Sequence, residues 1–182
     1  MAVLLVLLCA SLYALHRRTA LQVYAYNLGH GGHRLLGKPA PELPAGLRDL
    51  SGAPVQLGAL RGQVVLLHFF TRSCGNCKSM LPQYTSWAER YRAAGLRVVG
   101  VHTPETEDEV NEPALRAFVR DRGLRWPVIP DNDQHVFATF KVEVWPTILL
   151  IDRAGVLRHQ YLGDDVSDAI EYGLKNMLRE PG

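Results

Sequence analysis

The sequence predicts an α/β domain in which a central mixed β-sheet is flanked by helices on both faces. Three observations carry this expectation. Short apolar, β-branched runs alternate with segments of helical periodicity along most of the chain. The last two runs are joined by the tight turn Asp152-Arg153-Ala154-Gly155, and a hairpin ending a series of strands that alternate with helices implies a mixed sheet. Cys74-Gly75-Asn76-Cys77 stands between the apolar run Val64–Phe70 and a helical pattern, marking a strand that feeds directly into a helix.

The ordered domain is expected to begin at residue 37, where Gly37-Lys38-Pro39-Ala40-Pro41 ends a glycine-rich tether. Residues 54–57 read as a short strand turning back through Ser51-Gly52. Val64–Phe70 reads as a buried strand, its apolar run broken only by His68. Residues 74–94 read as a helix, because Met80, Leu81, Tyr84, Trp87, Ala88 and Tyr91 fall near helical spacing. Pro82 lies inside it and predicts a kink, since proline removes one backbone hydrogen bond. Residues 96–101 form the next buried strand, and residues 103–110 a polar loop. Pro113 opens a helix that runs to Arg122 and is stopped by Gly123. Residues 128–129 then read as a short strand and 134–140 as a short helix. The hairpin arms are Thr147–Ile151 and residues 156–161, and an amphipathic helix over residues 165–178 completes the domain.

The cysteine pair carries the chemistry. A helix that starts at Cys74 directs its unpaired N–H groups and positive dipole end toward that sulfur, which favours a thiolate. Cys74 is therefore the expected nucleophile. Cys77, one turn further in, can close an intramolecular disulfide and release a partner. Zinc sites use the same spacing, but a structural zinc ion needs a second pair of ligands, and neither Cys9 nor a suitably spaced histidine pair supplies it. A purely structural bridge is a poor alternative, because closing so short a loop removes little entropy from the unfolded chain.

Composition narrows the function classes. The chain has 182 residues, 47% of them hydrophobic, and its 20 Lys and Arg are interspersed with 18 Asp and Glu, so charge gives no support to nucleic-acid binding. Residues 1–15 carry no charged side chain and precede His16-Arg17-Arg18. This stretch reads as a membrane-directed segment, nearer in length to a signal-peptide core than to a full span. The expected organisation is an anchor or uncleaved signal segment over residues 1–20, a flexible linker over 21–36, and the folded domain over 37–182. Arg17-Arg18 sit on the flank where the positive-inside tendency would keep the following domain in the cytoplasm. Cys9 reads as a small apolar residue in lipid, and His30 and His33 as linker residues.

Taken together, several motifs resemble the thioredoxin-fold thiol-disulfide oxidoreductases, specifically the membrane-anchored TlpA-like and DipZ-like proteins. They are the opening at residues 37–41, Phe69-Phe70-Thr71-Arg72-Ser73-Cys74-Gly75-Asn76-Cys77, and Pro82 in the active-site helix. His102-Thr103-Pro104-Glu105, Asp131-Asn132-Asp133 and Trp145-Pro146-Thr147 follow in the same order, as does Leu150-Ile151-Asp152 before Gly155. The resemblance implies a redox-active Cys74–Cys77 disulfide with no other cofactor and no metal. It also implies protein thiols and disulfides as partners, an upstream thiol donor, and a membrane-anchored domain outside the cytoplasm.

By the same resemblance, Pro146 follows a cis peptide bond and faces the cysteines, where the backbone before it can pair with an extended substrate segment. His68 stands where relatives carry a buried carboxylate that accepts a proton from the second cysteine, a task open to an imidazole near neutral pH. Met80 replaces an acidic residue of cytochrome-maturation relatives, and Ser73 replaces a tryptophan often found before the first cysteine. Glu105 reads either as a residue bordering the site or as a solvated acid.

Two alternatives remain at this level. Thr71-Arg72-Ser73-Cys74 suggests a peroxiredoxin-like peroxidase, although Leu67 stands where such enzymes carry a proline. Cys74 and Cys77 with a distant histidine such as His135 suggest a copper-binding chaperone, since Cu(I) suits two thiolates and an imidazole.

Overall fold

The computed structural model describes residues 34–180. The expected anchor, most of the linker, Cys9, His30 and His33 lie outside the described residues. Among the described residues no helix is long and apolar enough to cross a membrane.

Five strands form one mixed sheet: β1 (Val64–Phe70), β2 (Leu96–His102), β3 (Val128–Pro130), β4 (Thr147–Ile151) and β5 (Leu157–Leu162), in the order β3-β2-β1-β4-β5. β1 is central. It pairs in parallel with β2, from Val64 opposite Leu96 to Phe70 opposite His102, and antiparallel with β4, from Val65 opposite Ile151 to Phe69 opposite Thr147. All its residues are buried, which is why its sequence runs apolar instead of alternating.

Successive β1 side chains enter two cores. Val64, Leu66 and Phe70 pack with Met80, Tyr84 and Trp87 of α1 (Gly75–Arg90) and with Ile170 and Leu174 of α4 (Ser167–Arg179); Leu115 of α2 (Glu112–Asp121) joins the same cluster. Val65, Leu67 and Phe69 meet Leu43, Val55 and Leu57 together with Val136 of α3 (His135–Thr139) and the following Phe140. Helices thus cover both faces, as predicted, with the larger ones on the α1 side.

Most boundaries agree with the sequence reading to within a few residues. Asn111 caps α2 by accepting from the Ala114 N–H at 2.9 Å, Pro113 sits in its first turn, and Gly123 follows with φ +63°. Gly155 closes the β4–β5 turn at φ +75°, its N–H donating to the Asp152 carbonyl at 2.8 Å.

Three expectations change. Residues 54–57 do not form a strand: Pro54 makes one isolated bridge with Arg48, having no N–H with which to extend a ladder. The chain then enters a short 3₁₀ turn, where the Glu42 carboxylate accepts from the amides of Leu57 and Gly58, each at 2.6 Å. The active-site helix stops at Arg90, because Tyr91 begins a turn that Gly95 completes at φ +98°. Pro82 sits on the exposed side of α1 and leaves it a single uninterrupted helix.

Two histidines lie wholly inside this architecture. His68 and His102 are each 0% exposed. Burial pushes the His68 pKa down to about 3. The His102 value falls to about 4 through burial and the charge of Arg72, against an opposing effect of Glu109. Both lie below the ordinary 6.5, so as pH falls the unfolded chain takes up protons first. The neutral rings therefore support the fold most fully above about pH 6.5, and that support is lost progressively on acidification. Thermal midpoints should decline between about pH 6.5 and 5, a window in which most carboxylates remain ionised, with each histidine adding a slope approaching ~1.4 kcal/mol per pH unit. His68→Phe should flatten that slope whatever it does to the absolute midpoint; an unchanged slope would contradict the buried neutral assignment.

Candidate active site

β1 ends at Phe70, and Thr71-Arg72-Ser73 carries the chain out of the sheet to Cys74. Cys74 is the N-cap of α1, with extended backbone (φ −61°, ψ 116°), and its Sγ accepts from the Cys77 N–H at 3.1 Å. The first turn of α1 contains no acidic side chain, so its free amides act on this sulfur without a competing anion. Cys74 and Cys77 form a disulfide with their Cα atoms 5.3 Å apart. The two sulfurs differ in access: Cys77 is 1% exposed and belongs to the core, whereas Cys74 is only partly buried.

His68 lies deeper on β1. Its ring stacks on Phe70 at 5.1 Å and tilts against Tyr84 at 4.4 Å, and among the described residues neither ring nitrogen has a hydrogen-bond partner. Phe70, Tyr84 and Cys77 share one packed cluster, so the imidazole borders the core that shields the second cysteine. Among the described residues the Tyr84 hydroxyl also lacks a partner, and burial with the charge of Asp164 holds it protonated.

Pro146 is buried, and the Trp145-Pro146 bond is cis. Its carbonyl accepts from the Gly163 N–H at 3.0 Å. Because Thr147 pairs with Phe69 in an antiparallel ladder, Pro146 stands level with the end of β1 from which the cysteine loop departs. Trp145 stacks on Phe137 at 4.9 Å, and Val144 before it is 45% exposed.

The loop after β2 supplies a group that the sequence reading did not single out. Glu109 is 2% exposed, and its carboxylate accepts from the Ser73 N–H at 2.7 Å, the Glu105 N–H at 2.9 Å and the Thr71 hydroxyl. Burial alone would raise its pKa, but these bonds and the neighbouring His102 hold it below the usual carboxylate range. The Glu105 side chain is exposed, so its contribution here is its backbone N–H. Four acidic residues fall within residues 105–109, and composition alone does not say which one turns inward.

The same contacts bear on the alternatives. The Thr71 hydroxyl donates to Glu109, and Arg72 Nη2 donates to the Asp108 carbonyl at 3.0 Å, so the groups a peroxidase would aim at its cysteine are engaged elsewhere. His135 is exposed at the start of α3, and among the described residues no cluster of three or more His, Cys, Asp or Glu side chains is arranged to hold a metal ion. Met80 is a core residue whose Sδ accepts from the Ser167 hydroxyl at 3.4 Å.

Residues 36–160 match the AhpC/TSA family. The chain is 32% identical over 127 residues to Protein DipZ of Mycobacterium tuberculosis, covering 70% of this chain but only 18% of that protein. It is 30% identical over 142 residues to thiol-disulfide oxidoreductase ResA of Bacillus anthracis, covering 78% of each. Among solved structures it resembles the thioredoxin-like superfamily protein SPOA0173, with a TM-score of 0.70 at 26% identity over 79% of this chain and 98% of that one. The family match spans most of the domain, and the five-stranded sheet with a cysteine pair at the head of α1 agrees with it: the chain is a thioredoxin-fold member of the AhpC/TSA family.

Proposed function

We propose that the protein is a thiol-disulfide oxidoreductase acting on partner proteins through Cys74 and Cys77. The observation that carries this reading is the unequal placement of the two sulfurs: Cys74 is accessible at a helix N-terminus and Cys77 is 1% exposed behind it. In the reducing direction, the Cys74 thiolate attacks one sulfur of a partner disulfide. The partner's S–S bond breaks, and its other cysteine leaves as a thiolate that takes a proton from water. Cys77 then loses its proton and attacks Cys74 Sγ, expelling the second partner thiolate and leaving the Cys74–Cys77 disulfide. Two electrons pass to the partner, and a thiol donor must restore the pair. The reverse sequence oxidises a dithiol partner.

Pro146 is assigned to the partner-facing wall, supported by its level beside the end of β1 and by the exposed Val144 before it. An extended partner segment laid along this backbone would bring its sulfur to Cys74. Residues 1–20 are assigned to membrane attachment, on the uncharged apolar run of residues 1–15, with residues 37–182 as the redox domain.

Replacing Cys77 by Ser leaves the attacking sulfur but removes its resolver. Cells expressing Cys77→Ser should therefore accumulate protein adducts on non-reducing gels that disappear with dithiothreitol. Equal adducts from Cys74→Ser would show that Cys74 is not the attacking residue.

His68 is assigned as the acceptor of the Cys77 proton. Its two unpartnered nitrogens and its place beside the cluster containing Cys77 support this role, and burial keeps the ring neutral and thus able to accept. Its low basicity is offset only when a thiolate forms nearby, so transfer and attack must occur together. His68→Gln should slow resolution of the mixed disulfide across the neutral range without changing the shape of its pH–rate profile there, since burial holds the ring's own pKa at about 3. Stopped-flow measurement of an unchanged resolution rate would exclude the role.

A further inference from the structure

Glu109 poses a physical question that the fold alone does not answer. Burying a carboxylate costs several kcal/mol unless its lone pairs are matched, and a neutral side chain would brace two loops at less expense of desolvation. Yet Glu109 is 2% exposed, and none of the ion pairs formed among the described residues includes it. Its compensation comes from three donors, two of which belong to the segment that leads into Cys74.

The geometry of those bonds is specific to a carboxylate. Oε2 takes the Thr71 hydroxyl and the Glu105 N–H, while Oε1 takes the Ser73 N–H at 2.7 Å. An ionised carboxylate is acceptor-only at both oxygens, whereas an amide of the same shape would present donors to one of these pairs. The Ser73 amide is one residue from the nucleophile. With that amide fixed on one side and the Cys77 N–H meeting Cys74 Sγ at 3.1 Å on the other, the cysteine is held from both directions. Two further bonds join the same loops: the Thr103 N–H donates to the Phe70 carbonyl at 3.0 Å, and Arg72 donates to the Asp108 carbonyl at 3.0 Å.

We propose that Glu109 is a positioning residue for thiol-disulfide exchange, its carboxylate clamping residues 71–73 so that Cys74 Sγ stays over the first amides of α1. This rests on the oxidoreductase reading above. Glu109 acts through Ser73 and Thr71 and does not touch the reacting sulfur.

The test uses Glu109→Gln, which keeps the volume and reverses one oxygen's hydrogen-bonding character, and Thr71→Val, which removes one donor and leaves the carboxylate charge in place. Reduction of insulin disulfides by the full chain is measured at matched folded fraction, with dithiothreitol as the thiol donor. Both variants should lose turnover, Glu109→Gln by roughly tenfold, since small displacements of a reacting group cost up to about a hundredfold. The loss should fall on kcat, with KM within about twofold, because partner docking is not disturbed. The double variant should be no slower than Glu109→Gln alone, as expected when both changes break one clamp. Wild-type kcat in Glu109→Gln, or additive losses in the double variant, would overturn the proposal and leave Glu109 a structural brace. An unmodified protein that reduces no disulfide would instead overturn the oxidoreductase reading, so the two failures are distinguishable.

Discussion

The position of β1 in the middle of the sheet constrains everything around the cysteines. A strand flanked by β2 on one side and β4 on the other, with both faces covered, leaves the chain one way out, at its C-terminal end. Cys74 lies just beyond that exit, and α1 must begin there to return over the sheet. The same pairing delivers the other parts of the site. Phe70 opposite His102 brings the loop carrying Glu109 alongside residues 71–73, and Phe69 opposite Thr147 brings Pro146 to the same level.

The electrostatic character of the site follows from this construction. Backbone amides at the head of α1 are available to stabilise a Cys74 thiolate, the Cys77 N–H already meeting its sulfur. Such dipoles are fixed by the fold, so their effect depends on where the sulfur is held. A carboxylate anchored to the Ser73 amide, and a helix whose first turn is free of acidic side chains, answer that requirement from opposite sides. The buried imidazole of His68 is neutral and adds no charge to the interior.

Much of this was legible in the sequence because it depends on local chemistry. The run Val64–Phe70 followed by two cysteines identifies strand and helix start without tertiary information. Gly123 and Gly155 mark a helix stop and a hairpin because their backbone conformations favour glycine. The parts that escaped are those set by long-range contacts. Glu109 lies among exposed acids in a polar loop, and only the β1–β2 register turns it toward Ser73. Residues 54–57 have strand-like composition, but Pro54 and the capture of the next amides by Glu42 redirect them into a turn.

The central claim is that the fold makes Cys74 the reactive sulfur and Cys77 the shielded one. The most direct measurement is the rate at which each cysteine of the reduced protein is alkylated by iodoacetamide between about pH 5 and 10, with the labelled sites mapped by mass. The account predicts that Cys74 reacts first, with an apparent pKa below the ~8.5 of a free cysteine, and that Cys77 is labelled slowly throughout. Preferential labelling of Cys77, or a Cys74 that titrates like a free thiol, would contradict it.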